Sequence, residues 1–150
     1  MDESVIEQAK QTASLHGTCP IHGTILVAED NYINQVVTVR ILEGGGHRVF
    51  VGGNGRLALE ILEQQPVDLV LMDIQMPEMD GFQATKAIRD QESITGAHLP
   101  IIALTAHAIP GYRQKCLDAG MDDYIAKPVS SQDLLDVVNR TLLGMGSDAQ

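Results

Sequence analysis

The chain has 150 residues, of which 44% are hydrophobic, so it suits a single globular domain better than a disordered segment. Its formal net charge of −10 argues against a nucleic-acid-binding surface, which needs clustered Lys and Arg, and favours a bound cation or a basic partner. Because no apolar run approaches membrane-spanning length and the N-terminus lacks a signal peptide, we expect a cytoplasmic protein without membrane contact.

Residues 1–23 precede the first regular pattern, and we interpret them as a flexible leader or linker. His16, Cys19 and His22 recur there at intervals of three, which is one possible metal-ligand spacing. A structural zinc site needs a fourth ligand and none lies nearby, so the metal interpretation is the weaker alternative. Cys19 and Cys116 lie far apart in the chain, and we expect two free thiols rather than a disulfide.

From Thr24 onward, apolar runs of strand length alternate with segments of helical periodicity. The runs are ILVA (25–28), VFV (49–51), VDLVLM (67–72), IIAL (101–104) and YIA (124–126). Two helical faces lie between the runs, one formed by Leu57, Ala58, Ile61 and Leu62 and the other by Leu134, Val137, Val138 and Thr141. Helix starts or ends are indicated by GGG (44–46), Asn54, Gly81, Gly120 and Ser130 or Ser131.

This alternation predicts an α/β domain with a doubly wound, five-stranded parallel sheet. Right-handed crossovers then place helices on both faces, and 2-1-3-4-5 is the economical strand order. We place the domain at residues 24–143 and regard 144–150 as a C-terminal tail. No second domain fits in the remaining length.

Polar side chains stand at the ends of four predicted strands. Glu29 and Asp30 follow strand one, Asp73 strand three, Thr105 strand four and Lys127 strand five. In doubly wound sheets the binding crevice lies beyond the carboxyl ends of the strands, so these groups are expected to converge. Each residue alone also fits an ordinary turn or cap, but their combination favours a site.

Three carboxylates at one edge of the sheet would repel one another. Two unit charges about 4 Å apart repel by roughly 4 kcal/mol at an effective dielectric constant near 20, unless a cation lies among them. Mg²⁺ suits the site because it accepts carboxylate, water and phosphate oxygens. A cation, an ammonium group, a hydroxyl and a carboxylate nucleophile are what phosphoryl transfer uses, so we predict a Mg²⁺-dependent aspartyl-phosphate site.

Four segments resemble, in order and separation, the signature segments of the receiver domains of two-component response regulators. They are LVAEDN, DLVLMDIQMPEMDGF, IIALTAHA and GMDDYIAKPV. The resemblance covers about residues 24–143, and segments such as AEDNYINQ and NGRLALE are most similar to receivers of hybrid sensor histidine kinases. It implies a flavodoxin-like (βα)5 fold and a function in phosphorelay signal transduction, either in a cytoplasmic protein or in the cytoplasmic part of a membrane-bound hybrid kinase.

The resemblance also implies roles for individual residues. Asp73 would be the phosphorylated residue, Lys127 and Thr105 would bind the phosphoryl group, and Asp30 would bind Mg²⁺ directly. The other implied roles are metal binding by Glu29 through water and by the backbone carbonyl of Gln75, switching by Thr105 and Tyr124, tuning of dephosphorylation by Gln75 and His107, and a cis peptide before Pro128. Many members have Asp where this chain has Glu29, and the longer arm still reaches a cation.

The implied partner is a histidine kinase, a histidine phosphotransfer domain or both. The first helix begins beside the site, and NYINQVVTVRIL has more apolar positions than one buried stripe requires. We interpret Val36 and Ile41 as core residues, and Ile33 and Val37 as partner contacts. The phosphoryl group would either switch the conformation of the domain or pass to a phosphotransfer domain.

Two other functional classes share part of the pattern. A Mg²⁺-dependent phosphohydrolase of the haloacid-dehalogenase type also forms an aspartyl phosphate, but it has a second Asp where this chain has Gln75, and it needs a cap domain. A flavin-binding module needs Ser, Thr or Gly after strand one, where this chain has EDN. The phosphohydrolase stays the alternative. Whether the chain counts as an enzyme stays open, since a receiver catalyses its own phosphorylation and dephosphorylation and also forms part of hybrid kinases.

Overall fold

The computed structural model describes residues 22–76, 79–106, 110–127 and 130–148, and side chains up to residue 144. Five strands alternate with five helices over these ranges. In chain order they are β1 (Thr24–Ala28), α1 (Tyr32–Gly44), β2 (Arg48–Gly52), α2 (Gly55–Gln64), β3 (Leu69–Asp73), α3 (Gly81–Thr95), β4 (Ile101–Thr105), α4 (Tyr112–Asp118), β5 (Asp123–Ala126) and α5 (Ser131–Asp148). No helix in the described part of the chain is both long and apolar enough to span a membrane.

The strands form one parallel sheet in the order β2-β1-β3-β4-β5. The predicted strand order and doubly wound topology are therefore confirmed. The register places Ala28 beside both Gly52 and Met72, and Thr105 beside Ala126. Because these residues lie at the carboxyl ends of their strands, the side chains that follow them emerge at one edge of the sheet.

Alternate strand residues pack on opposite faces of the sheet, so the core has two halves. One half faces α2, α3 and α4 and includes Leu26, Ala28, Val70, Met72, Ile101, Ala103, Ala58, Ala84 and Cys116. The other faces α1 and α5 and includes Ile25, Val27, Leu69, Leu71, Ile102, Leu104, Leu42, Leu134 and Val138. Strands buried on both faces explain the almost continuous apolar runs in the sequence.

Side-chain caps fix the helix starts close to the predicted positions. The Asn54 side chain accepts a hydrogen bond from the backbone N–H of Leu57 at 2.8 Å. The Ser130 hydroxyl accepts one from the N–H of Asp133 at 3.1 Å, so Ser130 is the cap of α5 rather than Ser131. These bonds satisfy N–H groups that have no partner inside the helix.

Gly81 begins α3 against the backbone that follows the third strand. A Cβ atom at this position would lie 2.6 Å from the carbonyl oxygen of Asp73, which a side chain does not tolerate. The N–H of Gly81 donates to the carbonyl of Ile74 at 2.8 Å. The absence of a side chain at Gly81 thus lets α3 start directly beside the end of β3, where Asp73 lies.

Some elements differ from the sequence prediction in their ends. Asp73 and Thr105 are the last residues of β3 and β4, at the strand ends where the sequence places them, but the apolar runs do not match every other strand boundary. The last helix continues to Asp148, beyond residue 143, where we expected the domain to end. Cys116 is a free, buried thiol. Predictions for His16, Cys19, His107, Pro128 and the rest of the 1–21 leader lie outside the described residues.

Candidate functional site

The site lies at the carboxyl edge of the sheet, on the strand ends β1, β3, β4 and β5. Glu29, Asp30 and Asp73 come within reach of a common point, with one carboxylate oxygen from each lying within 4.8 Å of the others. Glu29 is 1% exposed and Asp73 is 6% exposed, whereas Asp30 is open to solvent. Oxygen ligands in this arrangement can hold a hard divalent cation that keeps water on its exposed side.

The ammonium group of Lys127 lies between two of these carboxylates. Its Nζ donates to Glu29 Oε1 at 2.8 Å and lies 3.5 Å from Asp73 Oδ1. Lys127 is itself only 23% exposed, so little solvent screens these charges. The side chain therefore provides a fixed positive charge beside Asp73.

Backbone and amide groups fix the orientation of the acidic side chains. The N–H of Asn31 donates to Glu29 Oε2 at 3.2 Å, and the Gln35 amide donates to the Glu29 carbonyl at 2.6 Å. The N–H of Gln75 lies 3.4 Å from Asp73 Oδ1. Since α1 starts beside Glu29 and its Gln35 reaches back, the first helix helps to position the site.

Glu29 and Asp73 behave as a coupled pair of acids. Burial raises the pKa of Asp73 to about 7, and the neighbouring Glu29 carboxylate adds to the rise. Burial alone would also raise the pKa of Glu29, but hydrogen bonds from Asp73, Lys127 and Asn31 lower it below its usual value. A bound cation would lower the pKa of both carboxyl groups, because it favours their charged forms.

Thr105 closes the other side of the site and is 1% exposed. Tyr112 is the first residue of α4 and lines a cleft together with Asp30. Burial raises the pKa of Tyr112, and the nearby Thr105 side chain acts in the opposite sense. The Tyr112 ring lies 6.3 Å from that of Phe82 and 6.4 Å from that of Tyr124, measured between ring centroids.

The cleft beside the carboxylates has a mixed acidic and aromatic lining. Its wall comprises Asp30, Ile74, Gln75, Met76, Asp80, Phe82, Tyr112 and Lys115. The Lys115 ammonium lies 5.2 Å from the Phe82 ring centroid and 5.7 Å from that of Tyr112. Sequence reasoning missed Asp80, Phe82, Tyr112 and Lys115. Their only sequence signal was proximity to the DG and GYR segments that start α3 and α4.

The two predicted partner contacts lie on the exposed side of α1. Ile33 is 70% exposed and Val37 is 49% exposed, whereas Val36 and Ile41 are half-buried. Val37 also lines a groove between α1 and α5, and Lys127 is part of the same lining. The apolar surface of α1 is therefore continuous with the site.

Comparisons with known proteins agree with this geometry. The response regulator receiver domain model matches residues 25–139. Sensor histidine kinase GacS of Pseudomonas protegens is 46% identical over 115 residues, which cover 76% of this chain and 12% of GacS. Histidine-protein kinase BarA of Escherichia coli is 39% identical over 123 residues, which cover 82% of this chain and 13% of BarA.

Solved structures give the same result. The receiver domain of sensor histidine kinase PA1611 from Pseudomonas aeruginosa PAO1, which has a magnesium ion in its active site cleft, superposes with a TM-score of 0.73 and 43% identity. The match covers 81% of this chain and 98% of that domain. With the predicted fold, the acidic cluster and the family match in agreement, this chain belongs to the response regulator receiver domain family of two-component phosphorelay systems.

Proposed function

We propose that this chain accepts a phosphoryl group from a phosphohistidine onto the carboxylate of Asp73, with Mg²⁺ held by Glu29, Asp30 and Asp73. The observation that carries the proposal is the position of Lys127, whose Nζ lies 3.5 Å from Asp73 Oδ1 and 2.8 Å from Glu29 Oε1. An ammonium group beside a buried carboxylate supplies charge where phosphoryl oxygens would lie. The backbone carbonyl of Gln75 would complete the protein ligands of the metal.

The reaction is an in-line transfer between two nucleophiles. An oxygen of Asp73 attacks phosphorus and the P–N bond to the histidine breaks. The leaving imidazole nitrogen keeps the bonding electron pair and takes up a proton from water. Bound Mg²⁺ would supply positive charge for the phosphoryl oxygens, as in other phosphoryl transfers. Lys127 contributes the second charge and Thr105 a hydroxyl donor, while the short strand ends hold all three groups in place.

The phosphoryl group would then change the packing around β4 and β5. It draws Thr105 and Lys127 inward, and the half-buried Tyr124 ring moves into the vacated space. Both packings use the same fold, so the change is a shift of population between two states. Gln75 and His107 would tune the lifetime of the phosphorylated state.

The phosphohistidine would be presented by a histidine kinase or a histidine phosphotransfer domain that docks on α1. Ile33 and Val37 are exposed there, and the groove beside Val37 reaches Lys127. The chain spans 12% and 13% of GacS and BarA, which are histidine kinases. We infer that it serves as the receiver part of such a hybrid kinase system.

A phosphohydrolase function is not favoured. The position two residues after Asp73 holds the exposed amide of Gln75, which cannot act as a general acid or base.

Intact mass spectrometry after incubation with acetyl phosphate tests the assignment of Asp73. We expect one phosphoryl adduct that requires Mg²⁺ and disappears in Asp73→Asn. Asp80→Asn is the matched control, because Asp80 lines the same cleft and Asn retains its role as a helix cap. An adduct that persists in Asp73→Asn would show that another residue is the acceptor.

Calorimetric titration tests the metal site independently. Asp30→Asn removes one carboxylate from the cluster and should weaken Mg²⁺ binding at least about tenfold, since a unit charge near a divalent ion contributes roughly 2 kcal/mol even in water. Asp80→Asn should change the affinity less than about twofold. Equal losses in both variants would place the metal elsewhere in the cleft.

A further inference from the structure

Gln35 makes a hydrogen bond that joins α1 to the end of the first strand. Its side-chain Nε2 donates to the backbone carbonyl of Glu29 at 2.6 Å. Gln35 is half-buried, and its own N–H donates to the carbonyl of Asn31 at 2.9 Å within the first helical turn. The Gln35 side chain therefore reaches back past the start of the helix to the peptide bond that links Glu29 to Asp30.

This peptide bond is held on both sides of Glu29. The Glu29 N–H donates to the carbonyl of Gly52 on β2 at 3.0 Å, and the Glu29 carbonyl accepts from Gln35 on α1. A peptide bond is planar, so the Glu29 carbonyl and the Asp30 N–H turn together. The group that holds the carbonyl thus also fixes the plane from which the Asp30 side chain projects.

Asp30 depends on this backbone anchor more than the other carboxylates of the acidic cluster do. Glu29 and Asp73 are buried, and the Glu29 carboxylate accepts hydrogen bonds from Asn31 and Lys127. Asp30 is exposed, and no residue in the described part of the chain donates a hydrogen bond to its carboxylate. The direction of the Asp30 side chain in the cluster therefore follows from the position of its backbone.

We propose that Gln35 is a positioning residue for the metal site, because its amide fixes the Glu29–Asp30 peptide and so preorganises the Asp30 carboxylate for Mg²⁺. This inference rests on the proposed function of the Asp73 site. Without the Gln35 amide, the peptide gains freedom that metal binding must remove, and this ordering weakens the affinity. The expected effect is about two- to tenfold, which is the range of one net hydrogen bond.

Gln35→Met isolates the amide group, because methionine has a similar length and no hydrogen-bond donor. Calorimetric titration of the 150-residue chain should show Mg²⁺ binding that is about two- to tenfold weaker than in the wild type. Gln64→Met is the matched control, since Gln64 is exposed at the end of α2, where the helix has returned to the opposite edge of the sheet. Its Mg²⁺ affinity should equal that of the wild type. An unchanged affinity in Gln35→Met would overturn the proposal.

NMR of the metal-free chain provides a readout that does not depend on metal binding. The carbonyl carbon of Glu29 and the amide of Asp30 report on the peptide that Gln35 holds. Gln35→Met should shift both resonances, because the carbonyl loses its hydrogen bond, and Gln64→Met should leave them in place. Weaker Mg²⁺ binding without these shifts would overturn the proposal, since the peptide would then not be the route by which Gln35 acts.

A double-mutant cycle tests whether Gln35 acts through Asp30. Asp30→Asn alone should weaken Mg²⁺ binding at least about tenfold. The carboxylate that Gln35 positions is then absent, so adding Gln35→Met should cause less than about twofold further loss. Fully additive losses would contradict the assignment to Asp30.

The failure of this inference differs from the failure of the proposed function. If the wild type does not bind Mg²⁺, or if Asp30→Asn binds it as tightly as the wild type, the metal site itself is wrong. If the wild type binds Mg²⁺ through Asp30 and Gln35→Met binds it equally well, the site stands and only the role of Gln35 is rejected.

Discussion

The Lys127 ammonium is held by Glu29 rather than by the nearby Asp73. The Nζ–Oε1 distance to Glu29 is 2.8 Å, whereas the distance to Asp73 Oδ1 is 3.5 Å. Glu29 is almost fully buried, so its charge depends on this partner. A cation at the acidic cluster would neutralise Glu29 instead and leave Lys127 available for a phosphoryl oxygen.

Removal of the Lys127 charge should therefore lower the free energy of unfolding mainly when no metal is bound. Lys127→Met leaves Glu29 beside Asp73 with no counter-charge, and we expect a loss of about 1–3 kcal/mol in the free energy of unfolding without Mg²⁺. Saturating Mg²⁺ should narrow the difference from the wild type. Urea unfolding with and without Mg²⁺ measures this difference in the free energy of unfolding. Lys115→Met removes an ammonium group from the neighbouring cleft that Asp30 lines, and it should cost less than about 1 kcal/mol. Equal costs for the two variants, or no effect of Mg²⁺, would contradict the prediction.

Asp73→Asn should stabilise the metal-free protein at high pH. The folded protein binds the carboxyl proton more tightly than the unfolded chain, because the pKa is raised to about 7. The contribution of Asp73 to stability is complete below its unfolded pKa and is lost as the pH rises toward 7. Asn does not titrate, so at pH 8 the variant should exceed the wild type by about 1–3 kcal/mol, and at pH 5 by much less.

Urea unfolding in a chelating buffer at both pH values measures this difference. The result describes the coupled Glu29–Asp73 pair rather than one carboxyl group. If the difference in unfolding free energy between variant and wild type does not grow with pH, the neighbours of Asp73 do not raise its pKa in the folded protein.

Ile33→Ala and Val37→Ala should impair docking but not folding. Both side chains are exposed, so we expect each variant to change the free energy of unfolding by less than about 0.5 kcal/mol. Phosphoryl transfer from a phosphorylated histidine phosphotransfer domain should slow several-fold, while labelling by acetyl phosphate should stay normal. The half-buried Ile41 provides the comparison, and Ile41→Ala should mainly lower stability. Transfer at the wild-type rate in both α1 variants would rule out this surface.

Protonation of His47 at low pH should destabilise its contact with the residues just before β1. Its Nδ1 accepts from the N–H of Gly23 at 3.1 Å, so Nε2 carries the proton and donates to Asn139 Oδ1 at 3.0 Å. Burial lowers the pKa of His47, and the charge of nearby His22 acts in the same direction. The stability that neutral His47 provides is present above its unfolded pKa and is lost as the pH falls below it.

Unfolding of His47→Asn between pH 8 and pH 5.5 tests this expectation. Asn keeps an acceptor near the Gly23 N–H but does not titrate in this range. We expect the wild type to lose about 1 kcal/mol more than the variant as the pH falls. Parallel losses would mean that protonation of His47 does not affect folding.

The convergence of the acidic side chains was predictable from the sequence. Glu29, Asp73 and Lys127 each follow an apolar run, and parallel strands end at a common edge, so their approximate positions required no knowledge of packing. The caps at Asn54 and Ser130 were predictable for a similar reason, because capping depends on residues three positions apart.

Contacts between distant helices and loops were not predictable in this way. Arg89 of α3 donates to the carbonyls of Gly120 and Leu99 and pairs with Asp122, which ties α3 to the loops that precede β4 and β5. Nothing in the local sequence singles out this arginine. Apart from Glu92 in the same helix, these partners lie 10–33 residues away, and only the course of the chain brings them together.

Residue order therefore specified the sheet, its strand order and the acidic edge, since hydrophobic periodicity and the geometry of parallel strands act locally along the chain. Tertiary packing specified which side chains touch at that edge. The pairing of Lys127 with Glu29 depends on rotamers and helix placement, which arise when the two halves of the core close around the sheet.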